Sequence, residues 1–175
     1  MRSSLLLRLF AGLVALGAGV AACNGNSALC SRVYSNITQV GAHDSAFVGI
    51  LLPDNQYISV TKQLDMGVRF LQAQTHSKDG GIEMCHTTCI ELDAGSLANY
   101  LGPIKTWLDG HPDEVVTLLL TNGDAIPVSQ FGSVFSATGL DKYAFTPSGT
   151  LTLDQWPTLQ ALIDSGKRLV VFMGT

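Results

Sequence analysis

Residues 114–121 read EVVTLLLT, an almost uninterrupted apolar run of strand length. A strand that is apolar on both faces is typical of a parallel sheet covered by helices. Residues 169–173 read LVVFM and form a second run of this kind. These two segments predict buried parallel strands and indicate an α/β fold.

Helical patterns separate the predicted strands. The clearest helix lies between Ser96, which can cap its start, and Gly110 with Pro112, which end it. Pro103 falls inside this pattern, so the helix is either kinked there or begins there. Further helices are predicted at residues 60–66 and 129–138, and from Thr152 or Trp156 to Gly166.

Three more strand-like segments come earlier in the chain, at residues 37–41, 68–74 and 82–85. The first leads directly into Ala42-His43-Asp44-Ser45. Polar residues at the carboxyl end of a strand line the active site of a β/α barrel, whereas a doubly wound sheet would have a glycine-rich nucleotide loop there. We therefore predict a TIM-type β/α barrel. A full barrel takes ~250 residues, so about four strands predict an incomplete one, truncated at its C-terminal side.

The first 22 residues have the pattern of a secretory signal peptide. Arg2 and Arg8 lie on either side of three leucines at residues 5–7, and residues 9–22 carry no charge. This run of 14 residues is short for a membrane span, which needs ~20, and it ends in small residues before Cys23. We expect residues 1–22 to be removed and residues 23–175 to form a secreted domain. A membrane anchor is the alternative interpretation.

Charge excludes one class of partner. The formal net charge is −4, and loss of Arg2 and Arg8 makes it −6. An acidic chain of this kind is not expected to bind nucleic acid through a basic face. No later stretch is long and apolar enough for a transmembrane segment.

The four cysteines are Cys23, Cys30, Cys85 and Cys89, and they fit an oxidising compartment. Three pairings are possible, of which Cys23–Cys30 with Cys85–Cys89 is the simplest. That pairing predicts a tight CHTTC loop, because a disulfide needs Cα atoms within ~7 Å. A zinc site is disfavoured because a fourth ligand at ordinary spacing is missing. Asn36-Ile37-Thr38 is a candidate glycosylation sequon.

Four segments carry a family resemblance: QVGAHDSAF, QLDMGVRFLQAQTH, EMCHTTC and HPDEVVTLLLTN. In this order they resemble the phosphatidylinositol-specific phospholipase C X-domain superfamily, and within it the fungal-type secreted phospholipase-C-like phosphodiesterases. The resemblance implies a β/α barrel that cleaves a phosphodiester. It makes His43 the general base, His86 the general acid, and Asp44 the group that orients His86. The other two histidines, His76 and His111, are interpreted as structural.

Two glutamines depart from the family's pattern. Bacterial members carry an arginine at the position of Gln74, and calcium-dependent animal members carry acidic ligands at Gln72 and Gln74. The chain therefore shows neither means of neutralising phosphate, and no calcium or other cofactor is expected. Gln72, Gln74 and Asn122 are predicted to contact substrate instead. Arg69 alternates with these glutamines and should face elsewhere.

Three functions remain open at this point. The first is a phosphoric diester hydrolase that acts on a small phosphodiester or a phospholipid headgroup, as a monomer when full length. The second is a catalytically impaired secreted binding protein on the same fold. The third is a metal-dependent phosphohydrolase that uses His43, Asp44 and His86 as ligands. No basic or aromatic membrane-binding patch is evident in the sequence, so a membrane substrate is not assumed.

Overall fold

The computed structural model describes residues 22–174 and contains a six-stranded sheet. Its strands are β1 (Gly41–Ala42), β2 (Phe70–Lys78), β3 (Gly81–Cys85), β4 (Asp93–Ser96), β5 (Val116–Asn122) and β6 (Leu169–Gly174). Its α-helices are α1 (Val60–Asp65), α2 (Leu97–Gly110), α3 (Val128–Thr138) and α4 (Leu159–Asp164). Residues 1–21 of the predicted signal peptide lie outside the described residues.

The sheet combines four parallel strands with an antiparallel extension. Its order is β4-β3-β2-β5-β6, and β1 pairs with the start of β2. β1, β2, β5 and β6 run parallel, whereas β3 and β4 pair antiparallel at one edge. Four parallel strands agree with the strand count that the sequence predicted for an incomplete barrel. The carboxyl ends of all four meet at one rim, where a barrel places its active site.

One face of the sheet packs on helices and forms the main core. Leu71 and Ala73 of β2 and Leu118 and Leu120 of β5 are fully buried on this face. α2 covers them, because its apolar residues repeat every three or four positions. Its buried residues are Leu97, Tyr100, Leu101, Ile104, Trp107 and Leu108.

The opposite face of the sheet is half-exposed, and we call it the open face. It carries the even-numbered side chains of β2 and, in register with them, Leu119 and Thr121 of β5. Near the amino ends of the strands this face is covered by the N-terminal segment, where Tyr34 Oη lies 2.7 Å from Thr117 Oγ1. The Cys23–Cys30 disulfide fastens that segment. The uncovered part therefore lies toward the rim.

The largest differences from the strands that the sequence predicted concern β1, β2 and β4. β1 has only two residues rather than spanning residues 37–41. β2 continues to Lys78 rather than ending at residue 74, because β3 pairs with its last four residues. β4 was not predicted, since DAGS has no apolar alternation. These differences arise from tertiary pairing, which a local pattern does not encode.

The predicted cap of α2 is confirmed: the helix begins at Leu97, where Ser96 Oγ accepts a hydrogen bond from the Asn99 amide, and it runs through Pro103. The start of α4 differs from the prediction, because this helix begins only at Leu159, with Thr158 as its cap. In the part of the chain that the structure describes, no helix is both long and apolar enough to cross a bilayer.

Candidate active site

The site begins at the rim, directly after β1. Asp44 has a φ of +48° and a fully buried side chain. This left-handed conformation is uncommon for residues other than glycine, although Asp tolerates it better than most. Gln72 holds the turn from the neighbouring strand: its Oε1 accepts from the Asp44 amide at 2.7 Å, and its backbone carbonyl accepts from the Ser45 amide at 2.8 Å. The turn thereby directs the Asp44 carboxylate inward.

One oxygen of Asp44 is the meeting point of the site. His43 Nε2 lies 3.1 Å from Asp44 Oδ2, and His86 Nε2 lies 3.4 Å from the same oxygen. Gln74 Nε2 donates a hydrogen bond to it at 3.0 Å. Asp44 Oδ1 is buried and has no hydrogen-bond partner. Two imidazoles therefore share a single buried carboxylate.

His86 is held in place from several sides. It lies in the loop closed by the Cys85–Cys89 disulfide, and its amide donates to the Leu92 carbonyl. The next residue, Thr87, donates its amide to Gln74 Oε1 at 3.0 Å. The ring of Phe47 packs edge-on against the imidazole, with 5.4 Å between ring centroids. The backbone around His86 is consequently held by the disulfide and by hydrogen bonds, and the ring is held by packing, with its Nδ1 buried and without a hydrogen-bond partner.

His43 is more accessible than its partner. Its side chain is 69% exposed, whereas that of His86 is 21% exposed. Its backbone carbonyl accepts a hydrogen bond from Gln56 Nε2 at 2.6 Å. A small cleft lined by His43, Gln72 and Phe70 opens beside it on the open face. His43 is therefore open to solvent, whereas His86 is largely enclosed.

A network of uncharged hydrogen-bonding groups links the site to helix α2. Ser45 Oγ lies 2.7 Å from Tyr100 Oη of α2 and donates to the Gln72 carbonyl at 3.0 Å. Burial raises the pKa of Tyr100, so its hydroxyl stays neutral. Sequence reasoning missed this pair, and it also missed Phe47 and Gln56, because nothing in the local pattern links them to the histidines.

The remaining predicted residues lie apart from this cluster. Asn122 is buried, and its amide group bonds both the amide and the carbonyl of Ile126 in the turn after β5. Arg69 lies on the helix side of the sheet, as alternation predicted, and pairs with Glu114 at 2.8 Å. Asn36 is exposed in a short turn. Both predicted disulfides are present.

Metal coordination has a poor basis in the part of the chain described. Within residues 22–174 no group of three or more His, Cys, Asp or Glu side chains is arranged to hold an ion. The absence of a calcium requirement stays a prediction.

Comparison with known sequences identifies the relatives of this chain. The PI-PLC X 1 family model matches residues 29–175. PI-PLC X domain-containing protein 1 of Arthroderma benhamiae is 56% identical over 153 residues, which cover 86% of this chain and 50% of that protein. An uncharacterized secreted protein of the same fungus is 45% identical over 86% of this chain and 35% of its own length. The chain thus spans at most half the length of these curated relatives.

Solved structures show the same fold. The F249X mutant of phosphatidylinositol-specific phospholipase C from Staphylococcus aureus superposes with a TM-score of 0.62 and 19% identity, covering 81% of this chain and 49% of that one. The Listeria monocytogenes phospholipase gives 0.61 and 20%, covering 83% of this chain and 54% of that one. These similarities confirm the predicted fold, a β/α barrel of which this chain forms about half.

Proposed function

The chain belongs to the PI-PLC X family, and we propose that it supplies the acid–base pair of a secreted enzyme that cleaves phosphodiesters. The observation that carries this proposal is the approach of His43 and His86 to one oxygen of Asp44, at 3.1 and 3.4 Å. Secretion is supported by the two disulfides and by the secreted relative. The resemblance in fold and family supports the reaction class.

The proposed reaction transfers two protons, one from the attacking hydroxyl to His43 and one from His86 to the leaving oxygen. A substrate hydroxyl attacks phosphorus and gives its proton to His43, while the bond to the leaving alcohol breaks and His86 protonates that oxygen. His86 begins as an imidazolium and ends neutral, and His43 changes in the opposite sense. One positive charge therefore faces Asp44 before and after the step. The Asp44 carboxylate between the two rings therefore stabilises the imidazolium of His86 before the step and that of His43 after it.

The neutral glutamines support a second candidate function. Gln74 donates a hydrogen bond to Asp44 and accepts one from the Thr87 amide, and the side-chain oxygen of Gln72 accepts one from the Asp44 amide. Neither supplies positive charge to a phosphate. Loss of one charge-stabilising group costs about 3 kcal/mol in a transition state, which favours a catalytically impaired binding protein unless the rest of the protein supplies that charge.

Three variants test the enzyme against its alternatives: His43→Ala, His86→Ala and Asp44→Asn. General acid–base roles predict a loss of about 100- to 10,000-fold in kcat for each histidine variant, measured on phosphatidylinositol and on a soluble phosphodiester. His111→Gln is the matched control, since His111 stacks on Trp107 away from the site. Full activity in His43→Ala refutes the mechanism. Binding without turnover in the folded wild-type protein supports the binding protein, and loss of activity with a chelator supports the metal-dependent alternative.

Exposed apolar side chains beside the site favour a lipid substrate over a soluble one. Ile50, Leu52 and Ile90 are each at least 89% exposed. The first two lie in the segment that Gln56 ties back to His43, and Ile90 follows the disulfide loop. Apolar side chains at this position can enter the surface of a bilayer and bring a phospholipid headgroup to the rim. The sequence did not reveal this arrangement, because the residues are far apart in the chain.

Vesicle binding tests the lipid substrate. We expect the double variant I50S/L52S to bind phosphatidylcholine–phosphatidylinositol vesicles at least tenfold more weakly, with unchanged turnover of a soluble phosphodiester. Leu153→Ser is the matched control, because Leu153 is 77% exposed but lies beside Ser35 in the N-terminal cover of the sheet. Equal vesicle binding by the double variant and the wild type would exclude this role for the segment.

A further inference from the structure

The strand that leads to His86 projects beyond the parallel sheet. Pairing of β2 with β5 ends at Thr75, opposite Asn122. The last three residues of β2 pair only with β3, and β3 runs directly into Cys85 and His86. We call residues 75–85 the outer hairpin. Its position relative to the sheet sets where the His86 loop begins.

Asp124 fastens the outer hairpin to the body of the protein. It lies in the turn between β5 and α3, and its Oδ2 accepts a hydrogen bond from the Ser77 amide at 2.8 Å. His76 Nδ1 lies 3.1 Å from Oδ1 and 3.3 Å from Oδ2 of the same carboxylate. Because a carboxylate only accepts hydrogen bonds, Nδ1 carries the proton in this contact. The bond from Ser77, together with the nearby His76, lowers the pKa of Asp124, which therefore stays charged.

Other charged contacts of the hairpin do not provide such an anchor. Lys78 pairs with Asp93 at 2.6 Å, but Asp93 belongs to β4, the next strand of the same antiparallel extension. Glu83 lies opposite His76 on β3, within the hairpin itself. The contact between Gln74 and Thr87 holds the disulfide loop, beyond the hairpin's end. Asp124 thus provides a charged side-chain link near the hairpin's tip, in addition to the hydrogen bond from Thr75 Oγ1 to the Thr121 carbonyl and the packing of Ile82 and Met84 in the core.

We propose that Asp124 and His76 are positioning residues for His86. They fix the outer hairpin against the turn after β5, and the hairpin in turn sets the distance from His86 to Asp44. This role rests on the proposed function of His86 as the acid. His76 does not touch the reacting atoms in this role, since it lies two positions beyond Gln74 on the strand, about 6.6 Å further toward the outside of the rim.

Hydrogen exchange and turnover test the anchor together. We expect Asp124→Ala to increase amide exchange in residues 76–92 and to lower kcat up to about 100-fold, the cost of about 1 Å of misplacement, while KM changes less than threefold. Asp109→Ala is the matched control: its carboxylate is 38% exposed against 36% for Asp124 and is also ion-paired, but it lies on α2. We expect the control to leave kcat and exchange in residues 76–92 unchanged.

A conservative variant separates positioning from proton transfer. His76→Asn places an N–H donor where Nδ1 stands, so it should keep at least half of the wild-type kcat, whereas His76→Ala should resemble Asp124→Ala. Equal losses in His76→Asn and His76→Ala would overturn the positioning role, and so would wild-type kcat in Asp124→Ala.

The exchange measurement keeps this inference separate from the proposed function. If the wild-type protein turns over no phosphodiester, increased exchange in Asp124→Ala still supports the anchor, and unchanged exchange refutes it. If His86→Ala is inactive while Asp124→Ala has normal kcat and exchange, the proposed function stands and the anchor does not.

Discussion

Removal of the Cys85–Cys89 disulfide should lower kcat, whereas removal of the Cys23–Cys30 disulfide should not, although the two bonds contribute similarly to stability. The bond closes a loop with a sequence separation of 4 around His86, and the Cys23–Cys30 bond closes one with a separation of 7. Loop-closure entropy for rings of this size corresponds to about 2 and about 2.5 kcal/mol of unfolding free energy. The two disulfides are therefore near-equal in their expected stability contribution.

Their expected contributions to activity differ. Without the Cys85–Cys89 bond, His86 and Thr87 regain backbone freedom, and fixing one residue costs ~1–2 kcal/mol. Two residues give about 2–4 kcal/mol, or about 30- to 1,000-fold in the population of the productive conformation. The hydrogen bonds to Leu92 and Gln74 still restrain part of the loop, so we expect a loss in kcat of about 30-fold.

The assay compares two double variants, C85A/C89A and C23A/C30A. Both are measured for kcat on a soluble phosphodiester, well below their melting temperatures, and for unfolding free energy in urea. We expect similar losses of stability, with a kcat loss confined to C85A/C89A. Equal kcat values in the two variants would refute the idea that the Cys85–Cys89 bond positions His86, whether both values equal that of the wild type or both are lower.

Two further predictions concern residues outside the site. Arg69→Ala leaves the half-buried Glu114 without its ion-pair partner. It should therefore lower the unfolding free energy by about 3 kcal/mol and leave kcat unchanged. A large fall in kcat would mean that Arg69 stabilises the phosphate of the substrate. Hydrogen bonds from Lys105 and Tyr143 lower the pKa of Asp109 to about 2. Because this pKa is depressed, the contribution of Asp109 to folding stability is complete above about pH 4 and is lost toward pH 2. Asp109→Asn should therefore show a smaller shift of the urea midpoint between pH 6 and pH 2.5 than the wild type. An equal shift in the two proteins would contradict the lowered pKa of Asp109.

The sequence predicted β5 and β6 well because an apolar run of strand length is visible locally, although Phe172 and Met173 of β6 are 38% and 36% exposed rather than buried as predicted. Residues 114–121 and 169–173 lie in β5 and β6 with boundaries shifted by one or two positions. It could not predict β4 or the outer part of β2, because their strand conformation depends on a neighbour that is distant in the chain or lacks an apolar pattern.

The candidate site shows the same division. His43 and Asp44 could be placed at the rim because they follow a strand directly, and the family resemblance added His86. Asp124 follows β5 in the same way, so the same rule could have selected it. The resemblance implied a contact of Asp44 with His86, but the convergence of both imidazoles on Asp44 Oδ2 could not be predicted, since it depends on a left-handed backbone at Asp44 and on a disulfide that closes beside His86.

The glutamine at position 74 has a role in this local network that does not depend on loss of function. Gln74 donates to Asp44 Oδ2 and accepts from the Thr87 amide, so the position requires both a donor and an acceptor on one long side chain. An arginine offers no acceptor for Thr87, and a glutamate offers no donor and adds a second negative charge beside Asp44. Glutamine satisfies both partners and leaves the carboxylate available to the two imidazoles. The departure from the family's charged residues is therefore compatible with a working acid–base pair, and it moves the question of phosphate charge to groups beyond this position.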